Sequence, residues 1–229
     1  MLEALRAEVL EANLEVVRRG LVIYTFGNAS GVAREEGLVV IKPSGVPYDK
    51  MTPEHMVITD LQGRIVEGKL RPSSDLSTHV ALYRAFSEIG GIVHTHSRHA
   101  TAWAQARREI PCFGTTHADY FHGSVPVSRD LTPAEIEADY EGNTGVAIVE
   151  VMHGREPLAT PGVLVAGHAP FCWGRNAAEA AHNAVVLEYI ATMASETLLI
   201  NAAAQPVSDA QLNKHYFRKH GPKATYGQG

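Results

Sequence analysis

Cysteine is nearly absent from this chain of 229 residues. The two that occur, Cys112 and Cys172, lie far apart and outside any Cys-x-x-Cys pattern. Two free thiols in a reducing compartment fit them better than a bridge. Excess charge is missing as well. A formal net charge of −5 and a pI near 6.2 argue against general nucleic-acid binding, though they leave room for a local anion site. No apolar run approaches the ~20 residues of a membrane span. Residues 1–19 carry acidic and basic side chains before any long apolar run, which a signal peptide does not. These absences point to the cytoplasm, with neither membrane nor nucleic acid as partner. No repeat, low-complexity tract or linker divides the chain, so one domain over 1–229 is expected.

Histidine, by contrast, is plentiful: the chain has twelve. The elements around them can be read from periodicity and caps. Leu2, Leu5, Val9, Ala12 and Val16 recur at three- and four-residue steps, predicting a helix over 2–19 that ends at Gly20. A strand is expected over 37–42, turned by Pro43-Ser44-Gly45. A hairpin follows over 56–60 and 64–67 about Gln62-Gly63. A helix over 76–88 stops at Gly90-Gly91, a strand runs through Ile92-Val93, and a helix spans about 98–108. Thr132-Pro133-Ala134-Glu135 is a helix start, with a hydroxyl cap, proline at the first position and glutamate at the third. Strands are expected over 146–152 and 162–166. Asn176 caps a long alanine-rich helix running to about 204. Ser208 to Gln211 repeats the cap form before a last helix, closed by Gly221-Pro222. Strands arriving both in hairpins and between helices predict a mixed sheet with helices on its faces.

Four residues make a metal constellation. His94-Thr95-His96 follows the apolar Ile92-Val93. Residues two apart on a strand share a face, so two imidazoles converge where the strand leaves the core. Gly162-Val163-Leu164-Val165-Ala166-Gly167-His168 repeats the logic with a second apolar strand, and offers His168 as a third imidazole. Read alone, His168 is also a plain hydrogen-bonded surface histidine. Asp75, just before a helix, is the candidate carboxylate, and read alone it is also a simple helix cap. Imidazole sites accept zinc, manganese and cobalt alike. A cation held by few ligands, with a position left open, is a catalyst rather than a staple. His99, His117, His122, His153 and His182 read as ordinary residues.

Three small-residue loops make an anion constellation: Gly27-Asn28-Ala29-Ser30-Gly31, Lys42-Pro43-Ser44-Gly45 and Pro72-Ser73-Ser74-Asp75. Each by itself reads as a turn. Used jointly, their amides, hydroxyls and Lys42 make a phosphate site. None has the glycine order of a nucleotide loop, and no dinucleotide fingerprint is present.

Together these pieces resemble the class II aldolase/epimerase family along essentially the whole chain. Further segments carry the resemblance: Ser97-Arg98-His99-Ala100, Gly114-Thr115-Thr116-His117-Ala118-Asp119-Tyr120-Phe121, Leu212-Asn213-Lys214-His215-Tyr216 and the tail Tyr226-Gly227-Gln228. The Thr-Thr-His-Ala-Asp segment and the tail point to the branch that inverts carbon 4 of L-ribulose 5-phosphate to give D-xylulose 5-phosphate. Asp75 agrees with that branch, since the aldolases typically carry glutamate there. Ala166 departs from it, at a position that is not a required ligand.

The resemblance implies an α/β (α+β) three-layer sandwich, with a central, mostly antiparallel sheet covered by helices on both faces. It implies one divalent metal, zinc first, on Asp75, His94, His96 and His168. Phosphate would lie on Asn28, Lys42, Ser44, Gly45, Ser73 and Ser74. Asp119 and Tyr226 would share acid/base work on opposite faces of an aldehyde, with Thr116, Glu141 and His215 in support. The assembly implied is a cyclic homotetramer with sites between subunits and the tail docked on a neighbour. Without the resemblance, Asp119 reads as a turn or cap residue and Tyr226 as a tail aromatic. A lyase of the same family and a non-catalytic metal-dependent assembly protein are the rival readings.

Overall fold

The structure, a computed structural model, describes residues 1–221, 224 and 225. Among them are the strands β1 (Gly27–Ala33), β2 (Leu38–Ile41), β3 (Val57–Asp60), β4 (Ile65–Glu67), β5 (Gly91–Thr95), β6 (Gly162–Leu164) and β7 (Pro170–Gly174). They form one sheet in the order β4-β3-β2-β1-β5-β7-β6, and every paired neighbour is antiparallel. The helices are α1 (Glu3–Arg18), α2 (Leu76–Ala85), α3 (Arg98–Gln105), α4 (Thr115–Ala118), α5 (Pro133–Val151), α6 (Ala177–Ile200) and α7 (Asp209–Lys219).

The period-2 alternation of the strands sorts the core into two layers. Val40, Val93 and Cys172 face α1 and α6. Their sequence neighbours Val39, Ile92 and Trp173 face the other way, packing with Leu82 and Tyr83 of α2 and with Ile148 of α5. A sheet buried on both sides between helices is the three-layer arrangement expected. His94 and His96 lie two and four residues after Ile92, so they belong to the α2–α5 side of the sheet. Cys112 and Cys172 are buried free thiols.

Two expectations about elements are overturned. The segment Gly27-Asn28-Ala29-Ser30-Gly31 is not a loop but most of β1, hydrogen-bonded between β2 and β5 near the middle of the sheet. Its small residues give it no strand signature because α1 lies directly on it. A Cβ on Gly31 would stand 2.7 Å from Leu5 Cδ1 and 3.1 Å from Val9 Cγ2. The run 146–152 is not a strand: through Val151 it forms the end of α5. Thr144, Gly145, Ala147, Ile148 and Met152 are buried at helical spacing, while Val146 is exposed. Gly145 lets α5 approach α2, since a Cβ there would come 2.6 Å from Ala81 Cβ. That packing outweighs the strand preference of the β-branched residues.

The other helices follow their caps. Thr132 and Glu135 make a reciprocal capping box at α5, and Asn176 and Ser208 accept from the amides of Glu179 and Gln211. Among the described residues α6 is long and apolar enough to cross a membrane by length and composition. Its face from Ala177 to Ala194 packs into the core against α1 and the sheet.

Candidate active site

The end of β5 opens into a cavity of about 360 Å³. Asn28, Lys42, Ser44, Gly45, Ser73, Ser74, Asp75, His94, His96, Glu141 and His168, all singled out from sequence, line it together with Thr25, Phe26, Gly27 and Tyr140. Residues from both constellations therefore meet in one place.

The sheet does this first. Asn28 stands opposite His94 in the β1–β5 register. The short loop from β6 to β7 carries His168 back beside them. One ring nitrogen from each of His94, His96 and His168 lies within 4.8 Å of the others. His94 Nδ1 donates to the Pro170 carbonyl at 2.9 Å, which leaves its Nε2 as a bare lone pair. That Nε2 is 3.3 Å from Nε2 of His168 and 4.0 Å from Asp75 Oδ2. Burial holds His94 well below the ordinary imidazole range, with Asp75 opposing, so the ring is neutral at physiological pH. Three imidazoles with ring nitrogens within 4.8 Å of one another, and the Asp75 carboxylate 4.0 Å from one of them, are donor types that a borderline divalent cation takes.

Asp75 ends the Pro72–Asp75 loop just ahead of α2 and makes no side-chain cap there. Its Oδ2 instead accepts from Asn28 Nδ2 at 2.6 Å. Burial works against ionisation of Asp75. The neighbouring His94 and His79 rings and the hydrogen bond from the Asn28 amide outweigh it, holding the carboxyl below its usual range. Asn28 Nδ2 is thus committed to Asp75. Its Oδ1 is buried without a partner among the described residues. A bare acceptor suits a sugar hydroxyl better than a phosphate oxygen. Behind the cavity, Ser30 Oγ joins His79 Nδ1 at 2.6 Å and the Tyr83 hydroxyl at 2.7 Å, tying β1 to α2.

The two turn loops are zipped together. Ser44 N donates to Arg71 O and Ser73 N to Lys42 O, each at 2.9 Å. The amides of Gly45 and Ser74 have no carbonyl acceptor among the described residues. Lys42 is 2% exposed, with Nζ 3.2 Å from Pro43 O and 4.9 Å above the Tyr48 ring. Burial pulls its ammonium down to about 8, against the field of Asp75. A buried ammonium with one carbonyl partner, beside two amides without carbonyl acceptors and three serine hydroxyls, is a donor set that can take an anion.

The remaining residues lie elsewhere. Asp119 follows α4 and is bound from α7: Arg218 Nη2 reaches Oδ2 at 2.7 Å and His215 Nδ1 reaches Oδ1 at 3.1 Å. Burial opposes its ionisation, but Arg218, His215 and Lys219 outweigh it, and Asp119 is held below the carboxylate range. Thr116 lines a separate cavity between α4 and α6. Neither Asp119, His215 nor Thr116 lines the histidine cavity of its own chain. Tyr226 lies outside the described residues. Several histidines set aside from sequence have structural partners: His99 with Glu188, His117 with Gly123 O, and His122 with Asn213. Sequence reasoning missed Tyr140, whose hydroxyl is 3.3 Å from His168 Nδ1. It sits in no motif.

An antiparallel sheet between helical layers, with a three-histidine cluster at a strand end, defines a class II aldolase-type protein. Residues 7–195 match the family described as Class II Aldolase and Adducin N-terminal domain, and the chain belongs to that family. Among its relatives, L-ribulose-5-phosphate 4-epimerase UlaF of Salmonella paratyphi B (strain ATCC BAA-1250 / SPB7) is 53% identical over 227 residues, covering 99% of this chain and 100% of that protein. The protein of the same name from Salmonella typhi is 52% identical over the same shares. Among solved structures, an L-fuculose 1-phosphate aldolase matches with a TM-score of 0.81 and 25% identity, over 94% of this chain and 95% of its own. The L-fuculose-1-phosphate aldolase from Thermus thermophilus matches with a TM-score of 0.69 and 25% identity, over 87% of this chain and 97% of its own.

Proposed function

We infer that this protein is a metal-dependent L-ribulose-5-phosphate 4-epimerase. The full-length identity to relatives of that name supports the reading. The observation that carries it is a single cavity holding both the imidazole cluster and the Lys42–Ser44–Ser73 anion loops.

The substrate sets the chemistry. Carbon 4 of a 2-ketopentose is not adjacent to the carbonyl at carbon 2, so its hydrogen is not acidic. Inversion there proceeds by breaking the carbon 3–carbon 4 bond. The carbon 4 hydroxyl gives up a proton, the bonding electrons move onto the three-carbon fragment, and glycolaldehyde phosphate is left. Turning the aldehyde over and re-forming the bond on its other face inverts carbon 4. A divalent metal on His94, His96, His168 and Asp75, zinc first and manganese or cobalt next, supplies Lewis-acid polarisation of the carbonyl and offsets the negative charge that cleavage leaves.

The chain's own residues do the rest. Lys42, the amides of Gly45 and Ser74 and the hydroxyls of Ser44 and Ser73 hold the phosphate, so the aldehyde turns without escaping. Asn28 keeps Asp75 aimed at the imidazoles and offers Oδ1 to a substrate hydroxyl. Asp119, ionised at neutral pH, takes a proton, and Tyr226, a phenol, gives one. In the tetramer these two come from a neighbouring chain, with its Thr116 and His215, while Glu141 is already at the cavity. The C-terminal tail docks across that junction. The apolar side chains of Ile23, Tyr24 and Phe26 are more than half exposed, and Phe26 lines the cavity, as a covered rim requires. Two buried free thiols suit a reducing cytoplasm.

The test is the purified protein on L-ribulose 5-phosphate with zinc, manganese or cobalt. D-xylulose 5-phosphate is the expected product, and a chelator abolishes its formation. Full turnover by metal-free protein overturns the reading. Accumulation of dihydroxyacetone with glycolaldehyde phosphate as the main products makes the protein an aldolase instead.

A further inference from the structure

The helix α5 is broken at one residue. Asp139 is extended, with φ −164° and ψ 89°, between helical neighbours. A break in mid-helix strands backbone groups, and buried ones must find partners. Here side chains supply them. Asn143 Nδ2 donates to the Glu135 carbonyl at 2.9 Å, the acceptor that a continuous helix would satisfy from residue 139. Asp139 Oδ1 accepts from the Gly142 amide at 3.0 Å and restarts the helix. Thr78 of α2 donates to the Glu141 carbonyl at 2.6 Å, pinning the restarted turn.

The residue immediately after the break is Tyr140, which lines the histidine cavity. Its ring meets the His168 ring edge-on, with centroids 6.0 Å apart. Its hydroxyl is 3.3 Å from Nδ1 of His168, while Nε2 of the same ring faces Nε2 of His94. His94 has a backbone carbonyl fixing its far nitrogen. His168, carried on a turn with Gly167 at φ +70°, has no such carbonyl among the described residues and has Tyr140 instead. For Nε2 of His168 to offer a lone pair to a metal, Nδ1 must carry the proton, and that proton needs an acceptor.

We propose that Tyr140 is a positioning residue that orients His168 as the third metal ligand, and that the break at Asp139 is the device that places it. This rests on the reading of the imidazole cluster as a metal site. The break and the Asp139–Gly142 and Thr78–Glu141 hydrogen bonds make Tyr140 the first residue of the restarted helix, beside the cavity.

The test is the dissociation constant for Zn²⁺ and Mn²⁺, measured by chelator competition on full-length wild type, Tyr140→Phe, Asp139→Ala and the double variant. Tyr140→Phe keeps the ring and removes only the hydroxyl. It is expected to weaken binding by about 10-fold, the lower end of what partners behind a metal ligand usually contribute. The melting temperature of the metal-free protein should stay unchanged. Asp139→Ala is expected to weaken binding similarly, and adding Tyr140→Phe to it should change little. Unchanged affinity in Tyr140→Phe overturns the proposal. Unchanged affinity in Asp139→Ala, or full additivity in the double variant, overturns the role of the break. A wild type that binds neither metal refutes the metal-site reading itself, a distinct result from either of these.

Discussion

Lys42 gives the sharpest test of how this cavity is built, because its replacement should raise stability and lower function together. The ammonium is buried and drawn from an ordinary value of 10.5 to about 8. At ~1.4 kcal/mol per pKa unit, keeping it charged at neutral pH costs about 3 kcal/mol. The cavity is open to solvent, and screening reduces this to about 2 kcal/mol. The sign follows from proton uptake. Below pH 8 both folded and unfolded chains hold the proton, and the folded state carries the whole penalty. Between pH 8 and 10.5 the folded protein sheds it first, so wild-type stability rises with pH. Lys42→Met removes the penalty. Its advantage of about 2 kcal/mol at pH 7, ~4–8 °C in melting temperature for a chain of this size, should shrink to nothing by about pH 10.5. On the proposed function, the same variant also loses a charge-assisted hydrogen bond to the phosphate. Such bonds contribute roughly 1.5–3 kcal/mol, so KM for the sugar phosphate should rise about 10- to 150-fold. Inorganic phosphate should stabilise the wild type and not the variant. Thermal scans at about pH 7 and pH 10, with steady-state kinetics at neutral pH, make the measurement. A variant that melts lower than wild type at neutral pH refutes the burial argument, and an unchanged KM removes Lys42 from the phosphate.

Three further outcomes are expected. Gly91 sits where β5 meets the start of α6, and a Cβ there would lie 2.4 Å from backbone atoms of Ala177. Gly91→Ala should therefore destabilise by about 3 kcal/mol, the upper end of overpacking, read by urea unfolding; a loss below about 1 kcal/mol would show that α6 yields there. Glu188 of α6 accepts from the amides of His99 and Ala100 at 2.9 Å, capping α3 where Ser97 does not. Glu188→Ala should cost about 1 kcal/mol, as lost caps do, and equal stability would remove it from that role. Asp119→Asn should cut turnover by roughly 10²- to 10⁴-fold while metal content by elemental analysis is unchanged; full turnover would exclude Asp119 from proton transfer.

Much of this was legible in the sequence because it is locally encoded. Capping residues mark α5, α6 and α7, and the glycine turns mark the β3–β4 hairpin. His94 and His96 were found through strand periodicity, and His168 through a second strand ending the same way. What stayed hidden is what distant packing decides. β1 is mostly glycine, alanine and serine because α1 presses on it, so it looks like a loop. β7 begins at Pro170, which hides it from a strand pattern. Tyr140 depends on a helix break built by Asp139, Asn143 and Thr78, three side chains that no local pattern links. Asp119 is another such case: its motif is plain in the sequence, yet its own chain places it with α7 and away from the imidazoles.

The central claim is that carbon 3 and carbon 4 part and rejoin within a metal-bearing cavity. The most direct measurement is the competitive ¹³C isotope effect at each of these carbons during turnover of L-ribulose 5-phosphate. Cleavage of the bond between them predicts a normal effect of similar size at both. An effect at carbon 4 with none at carbon 3 would mean that a carbon–hydrogen bond is broken instead, and would contradict the account.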